Sequence, residues 1–179
     1  MRLSGGELRS RRIHVPRGRS MRPTPGRVRE ALFSILGERV AGARMLDVYA
    51  GSGAIGFEAL SRGAAHVTFV EMHAPAAARI RAHAQDLGVA DRVEVVAAAA
   101  ERAVRRLTGR FDIVYADPPY AEPLPAALVT GLRTSGAIGP DTLVIYEHRW
   151  GTAVEVAGLR SQRLARYGEV ALEFMVPDA

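Results

Sequence analysis

The chain has no cysteine. Disulfides, thiolate nucleophiles and thiolate metal sites are therefore excluded, and the composition fits a cytoplasmic protein. Lysine is missing too, since all 24 basic residues are arginine. Aromatic residues make up only 6% and include one tryptophan. No apolar run approaches the roughly 20 residues that a bilayer span needs, so no membrane partner is expected. The start, MRLSGGE, lacks the apolar stretch of a secretory signal, although its arginines leave an organelle transit peptide open. The five histidines (His14, His66, His73, His83, His148) show no metal-ligand spacing, so no metal is expected.

What is present is enough for one domain: 179 residues, 48% of them hydrophobic. The charge is unevenly placed. Residues 1–30 hold nine arginines against Glu7 and Glu30, a net +7, while the remainder holds 15 arginines and 17 acids, a net −2. A basic arm on a near-neutral body is a footprint for a polyanion. The plainer alternative is a solvated tail. On either reading, residues 1–15 are expected to be removable without unfolding the rest.

Residues 1–15 suggest a short hairpin around Gly5-Gly6, and residues 16–26, rich in proline and glycine, a connector. The arm is thus set at 1–26 and a catalytic domain at 27–179. Apolar positions from Arg27 to Val40 follow a helical period. Then strands and helices alternate: strands at 44–50, 66–71, 93–97, 111–116 and 142–147, with helices at 54–62, 75–87, 101–107 and 124–133 between them. This alternation predicts an α/β fold, a parallel sheet with helices on both faces. The tail, 160–167 and 170–176, has no room for a helix and predicts a hairpin that makes the last strand antiparallel.

The segment 47–56 (DVYAGSGAIG) follows the first strand and opens a helix. Gly51, Gly53 and Gly56 match G-x-G-x-x-G, and Glu71 lies 20 residues past Gly51 at the end of the second strand, as in dinucleotide-binding folds. A nicotinamide enzyme therefore stays open. The glycines let backbone approach a ligand, and Glu71 can accept hydrogen bonds from a ribose diol. Asp47 would sit unfavourably close to a pyrophosphate but suits a nucleoside cofactor bearing an ammonium group. Its alternative role is to cap the loop's backbone amides.

Asp117-Pro118-Pro119-Tyr120 follows the fourth strand, at the sheet's carboxyl edge, where α/β folds bind ligands. Two prolines stiffen the loop and lack N–H groups. Asp117 and the Pro118 carbonyl can then both accept hydrogen bonds from one amino group. An aryl amine is a poor nucleophile because its lone pair is delocalised, and two acceptors favour a pyramidal nitrogen with a directed lone pair. Tyr120 offers a flat face for stacking a base, worth roughly 1–3 kcal/mol. A proline turn that merely caps the strand is the bland alternative.

In these segments the chain resembles the class I methyltransferases that act on exocyclic amines. Among them it is similar to the bacterial small-subunit rRNA guanine-N2 methyltransferases. The resemblance rests on residues 22–33 (RPTPGRVREALF), 46–63 (LDVYAGSGAIGFEALSRG), 117–120 (DPPY) and 167–169 (YGE), in family order along essentially the whole chain. It implies a seven-stranded, mostly parallel Rossmann-like sheet with an antiparallel last strand. It implies S-adenosyl-L-methionine as cofactor, held by Asp47, Gly51, Ser52, Gly53, Gly56 and Glu71, with Arg22 and Thr24 from the first segment. Asp117, Pro118 and Tyr120 would be catalytic. The N-terminal extension, through Arg2, Arg9, Arg11 and Arg12, would meet 16S rRNA or a small-subunit assembly intermediate, with the protein acting as a monomer. The chain departs from the family at Ala99, where an acid or amide often faces the adenine, so that contact falls to backbone groups or Glu101. Two other functions remain open: methylation of another amine, such as DNA adenine or protein glutamine, and a non-catalytic RNA-binding assembly factor. Trp150 and Arg149, after the fifth strand, either border the base pocket or belong to the core.

Overall fold

The computed structural model describes residues 1–15, 24–119 and 123–178. Its centre is a seven-stranded sheet in the order β3-β2-β1-β4-β5-β7-β6. The strands are β1 (Arg44–Val48), β2 (His66–Val70), β3 (Val93–Val96), β4 (Ile113–Ala116), β5 (Leu143–Arg149), β6 (Leu159–Tyr167) and β7 (Val170–Pro177). β1 to β5 pair in parallel, and β7 runs antiparallel to both β5 and β6. The alternating pattern predicts the parallel sheet and the tail hairpin its antiparallel last strand, and the seven-stranded order is the one that the resemblance implies.

Helices α1 (Gly26–Leu36), α2 (Ala54–Ser61) and α3 (Ala74–Asp86) contribute to the core on one face; α4 (Ala100–Ala103) and α5 (Ala126–Thr134) cover the other. On α1, Val28, Leu32 and Leu36 recur every four residues and are buried, giving the helix one apolar stripe. The helix ends at Leu36, four residues earlier than the apolar period suggests, because Gly37 takes a positive φ (52°) and a 3₁₀ turn carries the pattern on to Val40. The stretch expected as one helix over 101–107 is likewise α4 followed by a 3₁₀ turn. Central strands β1 and β4 are buried almost without a break because both faces are covered.

Residues 1–15 are not a loose tail. Arg2 and Arg12 form an antiparallel bridge, and the Leu3 amide donates to the Arg11 carbonyl at 3.0 Å. Leu3, Leu8 and Ile13 are buried in the same core as Phe57 and Leu60 of α2. Beneath the arm lies Glu58, 0% exposed. It accepts from the Ser4 hydroxyl (2.7 Å), the Ser4 and Gly5 amides (2.9 Å each), Arg62 (2.9 Å) and Arg29 (3.2 Å). Burial works to raise this carboxyl, but Ser4, Arg62 and Arg29 together hold it below its ordinary value. Gly6 is required here: its φ is +76°, and a Cβ would fall 1.7 Å from the Ser61 carbonyl. The structure thus speaks against the expectation that residues 1–15 are removable without unfolding the rest: they form part of the core and satisfy a buried charge.

Candidate active site at the carboxyl edge of the sheet

The strand order reverses between β1 and β4, and the crevice at such a switch point is where open α/β sheets bind ligands. The register shows which side chains gather there. The last fully paired row runs Val96, Val70, Val48, Ala116, Tyr146 across β3, β2, β1, β4 and β5. The next residue on each strand continues the row: Ala97, Glu71, Tyr49, Asp117, Glu147. Neighbouring strands lie about 4.8 Å apart, so Asp117 and Glu147 are adjacent, and Glu71 stands two strands from Asp117.

Each part of the row is braced. Tyr49 holds a left-handed backbone (φ 62°), an uncommon state for a bulky residue, and so starts the sharp turn into the glycine loop. Glu71 accepts from the Gly51 amide at 2.8 Å and the His73 amide at 2.7 Å, which ties the loop to the second strand. Gly53, at φ +77°, caps α2. Gly56 lets α2 lie against the sheet, since a Cβ there would sit 2.2 Å from the Phe69 ring. Asp47, two rows below and 2% exposed, accepts the Gly56 amide at 3.0 Å. Of its two sequence-level roles, bracing the loop is the one on display.

Carboxyl groups dominate the electrostatics. Burial, with Asp117 and Glu71 adding repulsion, holds Asp47 well above the ordinary carboxylate range despite the Gly56 hydrogen bond. Burial and then Glu147 push Asp117 up to about 8. Burial also raises Glu147, outweighing the hydrogen bonds it receives from the Tyr115 hydroxyl and from Thr24 Oγ1 (3.2 Å). Tyr115 is raised as well, by burial and then by Glu147. Such a site favours a ligand that brings positive charge.

The candidates map as follows. Asp47, Gly51, Ser52, Gly53, Gly56 and Glu71 lie together on and around the loop after β1, and Asp117 and Pro118 follow β4 across the switch point. Thr24 is buried against Glu147 and Tyr115. Ala99 caps α4, its carbonyl accepting from the amides of Arg102 and Ala103. Arg2, Arg9, Arg11 and Arg12 are exposed on the arm. Tyr120 and Arg22 lie outside the described residues. Sequence reasoning missed Glu147 and Met72. Glu147 is an acid that follows the apolar run of β5, just as Glu71 follows β2, so the strand pattern alone could have flagged it. Met72, beside Glu71, is 70% exposed, an unusual placement for an apolar side chain.

Among the described residues no acid–histidine group could hold a metal ion, and no helix is long and apolar enough to cross a membrane. Residues 1–176 match the family described as Conserved hypothetical protein 95. The Bacillus subtilis protein YlbH is 35% identical over 152 residues, covering 83% of this chain and 82% of its own. Ribosomal RNA small subunit methyltransferase D of Escherichia coli is 35% identical over 147 residues, 82% of this chain and 74% of that one. A solved Escherichia coli structure superposes with a TM-score of 0.86 at 30% identity, covering 100% of this chain and 98% of the other. An RNA methyltransferase from Salinibacter ruber shares the fold at 18% identity, with a TM-score of 0.66 over 88% of this chain and 95% of its own. The sheet order, the braced glycine loop and these matches lead to one conclusion: the chain belongs to the Conserved hypothetical protein 95 family of S-adenosylmethionine-dependent methyltransferases.

Proposed function

We propose that the protein methylates the exocyclic N2 amine of a guanine in 16S rRNA, free or within a small-subunit assembly intermediate. The observation that carries this reading is the carboxyl-rich row at the switch point, with Asp117-Pro118-Pro119 one strand from the glycine loop. The substrate class comes from relatives such as the Escherichia coli small-subunit rRNA methyltransferase, together with the exposed arginines of the arm.

The residues fit S-adenosylmethionine better than a nicotinamide dinucleotide. Asp47, Asp117 and Glu147 are all raised by burial, a cost that a cationic ligand offsets and a pyrophosphate aggravates. When bound, the cofactor supplies an electrophilic methyl group on a sulfonium. Glu71 would hold the ribose, Met72 would offer apolar surface to the adenine, and the backbone around Ala99 would meet its edge. Asp117 and the Pro118 carbonyl would accept the two N–H bonds of the guanine amine and aim its lone pair. Once methylated, the guanine amine would carry a surplus proton to be released. Asp117, raised to about 8, is a competent acceptor for it. Most of the rate advantage would come from alignment.

The test is mass spectrometry of 16S rRNA from a strain lacking the gene, followed by methylation of that rRNA with the purified protein. A missing N2-methylguanosine, restored by wild type and not by Asp117→Ala, is the expected result. Unaltered rRNA in the deletion strain, or near-wild-type turnover by Asp117→Ala, would refute it.

A further inference from the structure

Trp150 is the only tryptophan in the chain, and it is 39% exposed. It therefore does not belong to the core. It directly follows β5, three residues past Glu147, so it stands about 10 Å beyond the row that holds Asp117. Its position is fixed, because its amide donates to the Glu169 carbonyl at 2.7 Å. The Arg166 guanidinium lies over the indole, 4.7 Å from its centroid, and Arg166 Nε donates to the Gly168 carbonyl at 3.1 Å. The strand that carries Arg166 is an edge strand, and it also exposes Arg160, Arg163 and Leu164. Arg149 adds a further exposed guanidinium, only loosely paired with Glu169 at 3.9 Å.

An exposed indole under a guanidinium, on an edge lined with arginines, is what unpaired nucleic acid requires. Bases stack on the aromatic face while the cations follow the phosphates. The spacing fits as well: stacked bases rise about 3.4 Å per nucleotide along a strand, so about 10 Å is roughly three nucleotides. We propose that Trp150 and Arg166 form a stacking platform for an unpaired nucleotide roughly three positions along the strand from the target guanine. The platform makes β6 and the end of β5 a second RNA-binding surface, separate from the arm. This proposal rests on the RNA-methylation reading above, and it names where the strand leaves the active site.

Because Trp150 is the sole indole, its fluorescence reports the platform directly. Titration with a single-stranded oligoadenylate decamer should quench it, and inorganic polyphosphate of equal charge should not. Equal quenching by both, or none by the decamer, would overturn the proposal. Trp150→Ala should weaken binding of unmethylated 16S rRNA by roughly 5- to 150-fold, the range expected for one lost base stack. Trp150→Phe should restore most of that affinity, and both variants should bind S-adenosylhomocysteine as wild type does. Wild-type rRNA affinity in Trp150→Ala would remove the platform and leave the methylation reading intact. Failure of the unaltered protein to methylate any rRNA would remove that reading, and the decamer titration would still decide the platform.

Discussion

The sheet places the half-buried carboxyl group of Asp117 and the buried one of Glu147 about one strand spacing apart, and both resist ionisation. For Asp117 the sign of the stability effect follows from its shift. Its native value of about 8 lies above the unfolded value of roughly 3.9, so between these limits the native state holds a proton that the unfolded chain has lost. The contribution is complete below about pH 4 and is lost as pH rises through 8. Thermal melts of the free protein should therefore fall over that interval, and Asp117→Asn should flatten the fall. At pH 8 that variant should melt higher by about 2–4 °C for each kcal/mol of relieved burial, while losing methyl transfer. The same group sets the activity profile. Since kcat/KM reports the free enzyme, it should climb with pH to a plateau above about 8. Glu147→Gln should move that limb to lower pH, because it removes the charge that opposes ionisation of Asp117. A limb that stays put in Glu147→Gln would show that Glu147 only holds Tyr115 and Thr24 in place.

At the level of elements, the arm and α2 behave as one unit. Leu3, Leu8 and Ile13 each bury an apolar side chain, worth about 1.5–3 kcal/mol apiece, and Ser4 and Gly5 supply three hydrogen bonds to Glu58. Deleting residues 1–13 should therefore give a protein that melts far below wild type or aggregates on expression. Replacing Arg2, Arg9, Arg11 and Arg12 together by glutamine should keep the fold. The salt dependence of RNA binding should then become shallower by about 0.7–0.9 for each phosphate that is no longer neutralised. A wild-type salt slope in that fourfold variant would move RNA recognition off the arm. Here the limits of sequence reading are physical. The arginine count announced the arm's charge, but the docking of its three apolar residues depends on α2, more than forty positions away. Period and turn residues are local signals, so they located the strands, the helices and the glycine loop. The row that unites Glu71, Asp117 and Glu147 exists only once the strands are in register, so Glu147 passed unnoticed. Asp117-Pro118-Pro119 was legible because its chemistry is contained in consecutive residues.

For the molecule as a whole, the concentration of carboxyl groups at one edge and arginines on the arm and on β6 separates two kinds of binding. S-adenosylhomocysteine should raise the melting temperature, by about 2.7 kcal/mol of stabilisation at a hundredfold excess over Kd, and NAD should not. A larger shift with NAD would overturn the cofactor assignment. The overall topology was readable because alternating strands and helices admit few right-handed arrangements, and because the tail left no room for a final crossover helix.

The strand order also constrains how the protein is made. β7 follows β6 in the chain but lies between β5 and β6 in the sheet. During synthesis β6 therefore emerges with no neighbour and must wait for the next strand before either can join. The arm waits too, because Ser4 and Gly5 cannot meet Glu58 until more than fifty further residues have been added, several seconds at about 5–20 residues per second. The arm and β6, the two surfaces proposed to meet RNA, are thus each completed by later segments of the chain. A nascent chain would seat its arm on Glu58 first, brace its glycine loop on Glu71 next and complete its β6 edge last.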